Sequence, residues 1–275
     1  MGGREETRGQ AEARQAEARQ AQERQVRGYG KGGVETVISV EDVNRQAAKL
    51  ASEGITVEKL AALAGGEPFV KIEGLRAGYG KMQILHNFNL QVARGQSLCL
   101  IGPNGAGKST VLHSIFGFTN IYGGSVVVNG RNVTKLSPKD KLRSAGVAYI
   151  LQDKSVFPGM TVEENLWMGG YLMDKPAEAK QKAEQIFDKS PRLAERRRHA
   201  AKVLSGGERR LLEISRALVM NPEVLLVDEP SIGLEPRFID MVFEILEDLQ
   251  HKDGKTIIMV EQNAKKGLEF ADIGY

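Results

Sequence analysis

The chain has 275 residues, 41% of them apolar and 27% charged, with a net charge of +3. That is the composition of an ordinary soluble globular protein: no stretch approaches the roughly 18 apolar residues of a membrane span, the N-terminus has no apolar core to serve as a signal peptide, and so small a charge implies no polyanionic partner. One cysteine, Cys99, excludes an internal disulfide and reads as a small buried apolar residue, with the cytoplasm as the expected compartment.

Residues 1–33 are polar and repetitive, with Ala11-Glu-Ala-Arg-Gln15 recurring as Ala16-Glu-Ala-Arg-Gln20 and Ala21-Gln-Glu-Arg-Gln25. These are good helix formers with almost nothing to bury, so a solvated tail, helical in part at most, is expected. A nucleic-acid arm is the sharper alternative, but Glu nearly balances Arg and no aromatic is interleaved before Tyr29. Over 34–66 a small helical segment is expected. Ser39-Val-Glu-Asp42 caps a first helix carrying Val43, Ala47 and Leu50, and a second begins at Thr56 and ends at Gly65-Gly66. The main domain is expected from about Pro68, covering 67–275.

From Phe69 the pattern turns to strands. Val70, Ile72 and Leu75, then Leu85, Phe88, Leu90 and Val92, contain the alternation of half-buried strands. Ser97-Leu-Cys-Leu-Ile101 is a short buried strand, and Val111-Leu-His-Ser-Ile-Phe116 has the apolar spacing of a helix. Between them lie Gly102, Pro103, Asn104, Gly105, Ala106, Gly107, Lys108, Ser109 and Thr110. Strand, glycine-rich turn with Lys-Ser, then helix is the context of a phosphate-binding loop. Glycines let successive backbone N–H groups face phosphate oxygens, and the helix dipole adds attraction. In that reading Lys108 reaches the β- and γ-phosphates and the Ser109 hydroxyl ligates Mg²⁺.

Gly123-Gly-Ser-Val-Val-Val-Asn-Gly130 predicts a strand ending in an Asn-Gly hairpin turn. A helix follows from Pro138 with Ser137 as cap, then the strand Val147-Ala-Tyr-Ile-Leu151, leading to Gln152. Residues from about 155 to 205 read as a helical subdomain, with a capping box at Thr161-Val-Glu-Glu164 and a charged helix over 177–190. The run Arg196-Arg197-Arg198 reads as a solvated helix face. Next come a helix from Ser205, the strand Val224-Leu-Leu-Val-Asp228, a helix from Pro236 to about Gln250, and the strand Thr256-Ile-Ile-Met-Val260. Apolar strands alternating with helices define an α/β fold with a mostly parallel sheet covered on both faces.

Two further segments carry chemistry. Val224-Leu-Leu-Val-Asp228-Glu229 ends an apolar strand in two carboxylates, the first suited to Mg²⁺ and the second to deprotonating a water. Leu204-Ser205-Gly206-Gly207-Glu208 opens a helix where backbone amides can grip a phosphate. Ser205 and Glu208 also have capping-box spacing, so cap and phosphate contact stand level.

The order of these motifs, at 102–109, 152, 204–208 and 224–229, resembles the ATP-binding cassette ATPases, whose signature is Leu-Ser-Gly-Gly-Glu; the resemblance covers about 68–275. It implies a P-loop NTPase fold with an antiparallel β subdomain and a helical subdomain. By resemblance Tyr79 stacks on adenine, Gln152 senses Mg²⁺ and links to membrane subunits, Asp228 is the metal-associated aspartate, Glu229 is the catalytic base, and residues 231–236 cross a dimer interface. Two such domains close head-to-tail on two ATP molecules, so that Ser205, Gly206 and Gly207 serve the partner's nucleotide. Thr161-Val-Glu-Glu-Asn-Leu166, Ser190-Pro-Arg-Leu193, Asp228-Glu-Pro-Ser-Ile-Gly-Leu234 and Val260-Glu-Gln-Asn263 are similar to one of the two ATPase subunits of branched-chain amino-acid importers. Most of the wider family has histidine where this chain has Gln262, which contacts the γ-phosphate; glutamine still donates a hydrogen bond.

The implied function is the ATP-hydrolysing subunit of an importer, bound peripherally at the cytoplasmic face of the inner membrane. Its implied partners are a second, non-identical ATPase subunit, two membrane-spanning permeases and, indirectly, an extracytoplasmic binding protein, with no nucleic acid. Urea, short amides or another polar metabolite are rival cargoes. A soluble cassette ATPase of translation, repair or cofactor assembly, and a non-hydrolysing regulator, are more distant rivals; the Asp228-Glu229 pair opposes the last. Relatives continue past the position of Tyr275, so a cut chain with an unpaired sheet edge is a further expectation.

Overall fold

A computed structural model describes residues 57–65, 67–152 and 155–275. The polar tail and the helix opening at Ser39 lie outside the described residues. Strands β3 (Ser97–Leu100), β6 (Val147–Ile150), β7 (Val224–Asp228), β8 (Thr256–Val260) and β9 (Ile273–Gly274) form a parallel sheet in the order β6-β7-β8-β3-β9. Strands β1 (Val70–Tyr79), β2 (Met82–Val92), β4 (Asn120–Val128) and β5 (Arg131–Asn132) form an antiparallel sheet ordered β2-β1-β4-β5.

The parallel strands are apolar on both faces because each face is covered. Leu98, Leu100, Val224, Leu226, Ile258 and Val260 point into one core, shared with the antiparallel sheet. Their alternates, Cys99, Leu225, Val227, Ile257 and Met259, point into a second core. Period-two alternation thus feeds two cores from one run. Helix α2 (Lys108–Phe116) lies in the first core and touches both sheets through Val111, Leu112 and Ile115. Helices α7 (Gly206–Leu218), α8 (Pro236–His251) and α9 (Ala264–Phe270) cover the second with Ile214, Val242, Phe243, Leu246 and Phe270.

The expected helical subdomain is present: α4 (Val162–Gly169), α5 (Pro176–Lys189) and α6 (Pro191–Glu195) pack with α7 around Leu166, Phe187, Leu193, Leu212 and Val219. Thr161 and Glu164 form the expected capping box, and buried Asn165 bonds both the amide and the carbonyl of Phe157, pinning the preceding loop. The run 196–198 is not a solvated face throughout. Half-buried Arg197 pairs with Glu163 and Glu184 and lies over the Phe187 ring, and Arg196 pairs with Glu208. Helix α3 (Pro138–Ala145) is capped by Ser137, and the Asn129-Gly130 turn has both residues at positive φ, as a two-residue hairpin requires.

Helix α1 (Val57–Ala64) packs on β2, and its Leu63 carbonyl accepts a bond from the Gln96 amide at 3.0 Å. It belongs to the compact unit Ile55–Tyr275. At the far edge of the sheet β9 is two residues long, and Tyr275 exchanges hydrogen bonds with Cys99 and Ile101. Among the described residues, no helix is long and apolar enough to cross a membrane.

Candidate active site

The site is built where strands β3, β7 and β8 end. After β3 the chain turns through 101–107 into α2. Gly105 and Gly107 hold φ of 83° and 88°, a left-handed conformation that glycine adopts without a Cβ penalty. Gly107 is the N-cap of α2 and supplies no side-chain bond, whereas Ser137, Thr161, Ser205 and Asn263 cap α3, α4, α7 and α9 through their side chains. The first-turn N–H groups of α2 therefore stay available, at the positive end of the helix. Lys108 arches over the loop, its Nζ 2.8 Å from the Gly102 carbonyl and 2.9 Å from that of Pro103. Uncapped amides and an ammonium converging on one turn make an anion site.

Strand β7 delivers two carboxylates beside it. Buried Asp228 accepts the Ser109 hydroxyl at 3.0 Å and the Tyr149 hydroxyl at 2.8 Å. Burial, and then the charge of Asp228, push the Tyr149 phenol upward, so it stays a neutral donor. Glu229 sits at φ 44° with its N–H bonded to the Val260 carbonyl at 2.8 Å, and the Gln152 amide reaches its carboxylate at 3.0 Å. Burial raises the Glu229 carboxyl above its ordinary range; the charges of Asp228 and Glu261 add to this and Lys108 opposes it. A raised, oriented carboxylate is what a general base for water requires.

The hard oxygens of Ser109, Asp228 and Gln152 suit Mg²⁺, which takes few protein ligands beside substrate phosphates and water. Gln262 donates to Asn104 Oδ1 at 2.7 Å, which places the end of β8 against the phosphate loop. Tyr79, 40% exposed at the end of β1, hydrogen-bonds His113 on α2. Burial lowers the His113 imidazole, against the charge of Asp228. Cys99, behind the site, is buried with its thiol pushed up to about 12, by burial first and Glu261 second, and is inert as expected.

The structure therefore brings together residues 102–110, Gln152, Asp228, Glu229 and Gln262. It does not bring Ser205, Gly206 and Gly207 to them. Ser205 caps α7, accepting from the Glu208 N–H while the Glu208 carboxylate accepts from the Ser205 N–H at 2.8 Å. A Cβ on Gly207 would lie 2.1 Å from the Phe238 ring, so α7 and α8 meet only over glycine. Three site residues escaped the sequence reading. Tyr149 lay hidden in an apolar strand and Arg210 in an amphipathic helix; the third, Glu261, stood unremarked beside Gln262. Buried Arg210, paired with Glu213, bonds the Leu151 carbonyl at 2.7 Å and the Asp228 carbonyl at 3.2 Å, bracing the segments that carry Gln152 and Glu229. A charged residue ending an apolar strand was the available signal for Glu261, the same one that marked Asp228.

Fold and site define an ATP-binding cassette, and the chain belongs to the ABC transporter family, whose model matches residues 85–232. It is an ATP-hydrolysing enzyme of that family. The chain is 41% identical over 197 residues to the high-affinity branched-chain amino acid transport ATP-binding protein BraG of Pseudomonas aeruginosa, covering 72% of this chain and 83% of that one. It is 38% identical over 201 residues to the probable branched-chain amino acid transport ATP-binding protein LivF of Archaeoglobus fulgidus, covering 73% and 84%. Among solved structures, the ADP conformation of an ATP-binding cassette of an ABC transporter matches with a TM-score of 0.67 at 28% identity, over 76% of this chain and 86% of that one.

Proposed function

We propose that this chain is the ATPase subunit of an importer for branched-chain or similar amino acids. The names of the two transport ATP-binding relatives support that cargo, and the four segments similar to such subunits support it further. In this reading Lys108 and the first-turn amides of α2 hold the β- and γ-phosphates, Tyr79 stacks on adenine, and Gln262 donates to the γ-phosphate. Ser109, Asp228 and Gln152 hold Mg²⁺, which offsets the charge that develops on the phosphates. Glu229 takes the proton of the attacking water, with Gln152 fixing its carboxylate. Ser205, Gly206 and Gly207 act on the nucleotide of a second ATPase subunit, and two permeases dock the pair at the cytoplasmic membrane face, with a binding protein outside.

The observation that carries the catalytic part is the Gln152–Glu229 bond beside the Ser109–Asp228 pair. Glu229→Gln is expected to lower kcat by about 10²–10⁴-fold while ATP affinity stays within about threefold. Turnover within about tenfold of wild type contradicts the assignment.

A further inference from the structure

Glu261 is the residue after β8 and is 1% exposed. Its carboxylate is satisfied by two loops. Oε1 accepts from the Ser231 hydroxyl at 2.8 Å, the Gln262 N–H at 2.8 Å and the Asn263 N–H at 2.9 Å, and Oε2 accepts from the Ser231 N–H at 3.3 Å. Gln262 in turn donates its side-chain amide to Asn104 of the phosphate loop at 2.7 Å. A continuous path runs from Asn104 through Gln262 and Glu261 to Ser231.

We propose that Glu261 is a positioning residue that makes the 231–236 loop and Gln262 one mechanical unit, so that occupancy of the phosphate loop is felt at 231–236. Charge-assisted bonds inside a buried pocket are short and directional, so neither loop can shift without breaking bonds to the shared carboxylate. Surface charges near the site lack this property, since water replaces each lost bond. Because 231–236 is read as crossing to the second subunit, the same carboxylate would carry nucleotide occupancy to the interface. The inference rests on the reading of 102–110 as the ATP site.

Hydrogen exchange measures the coupling without requiring turnover. The full chain is followed with and without Mg²⁺ and the non-hydrolysable analogue AMP-PNP, at a concentration where light scattering finds monomer. In the wild type the analogue is expected to slow exchange over 102–110, and also over 231–236 and 261–263, by about tenfold or more. In Glu261→Ala, at AMP-PNP concentrations that saturate the variant, the response at 102–110 is expected to persist while the response at 231–236 disappears. Ser231→Ala, which removes one hydroxyl from a half-buried loop residue, is expected to weaken it too and carries the test if Glu261→Ala does not fold. The proposal is overturned if 231–236 responds in the variants as in the wild type, or fails to respond in a wild type whose 102–110 does. A wild type silent at 102–110 as well overturns the ATP-site reading and this inference with it.

Discussion

At the scale of single residues, the site depends on how a few polar groups are held at the ends of buried strands. The Asp228 carboxylate accepts from two side chains, Ser109 and Tyr149, and of these only Ser109 was singled out from the sequence. Tyr149→Phe removes the other and leaves a buried carboxylate oxygen short of a donor. It is expected to destabilise the protein by about 1–3 kcal/mol in urea titrations and to change the Mg²⁺ concentration that half-saturates the ATPase. An unchanged Mg²⁺ dependence and unchanged stability would remove Tyr149 from the site. Residues 102–110 and the Asp228-Glu229 pair stood out because their chemistry is written in adjacent residues, whereas Gln152 was reached only through the resemblance of the motif order to ATP-binding cassette ATPases. Tyr149, Arg210 and Glu261 were not, because each acts on a group far away in the chain: Tyr149 meets Asp228 across 79 positions and Arg210 meets Leu151 across 59.

At the scale of elements, α2 is tied at both ends. Its N-terminus is left open for an anion, and its C-terminal side is closed by Lys141, which is fully buried with Nζ 3.4 Å from the Ser114 carbonyl. A cation at the negative end of a helix is favourable, yet burial lowers the Lys141 pKa from 10.5 to about 8. Between those values the unfolded chain binds a proton that the folded chain does not, so this residue makes stability rise with pH through that window; below about pH 8 its buried charge imposes the full cost. From pH 7 to 9.5 the wild type is expected to gain about 2 kcal/mol relative to Lys141→Met. Parallel pH dependences in urea would contradict this. The contact of α7 with α8 gives a second expectation. Gly207→Ala sets a methyl group into the Phe238 ring and is expected to cost about 1–3 kcal/mol, with Phe238→Leu recovering part of the loss in a thermal melt. Most elements and their order were legible from periodicity, with bounds that moved by up to three residues, as where β4 starts at Asn120 and not Gly123, whereas α9 and β9 were not expected. The alternation of β1 and β2 was blurred by register shifts near Gly74 and Asn87, both at positive φ. Such bulges follow from pairing between strands, which no single strand encodes.

At the scale of the whole molecule, the two ends of the predicted machinery remain apart. The phosphate loop joins β3 to α2, while Ser205 closes a capping box on α7 and bonds nothing in 102–110 among the described residues. If catalysis needs both, a second subunit must supply one of them, and the rate per molecule should rise with protein concentration. In the proposed reading Ser205→Arg spoils a chain's contribution to its partner's nucleotide, and Lys108→Ala spoils its own. The two variants, each inactive alone, are to be mixed and assayed for ATP hydrolysis. In a mixed pair one site combines both defects and the other has neither. The expected result is activity that reappears on mixing and grows with concentration; mixtures that stay as inactive as their components, beside a wild type whose specific activity does not vary with concentration, would contradict the shared site.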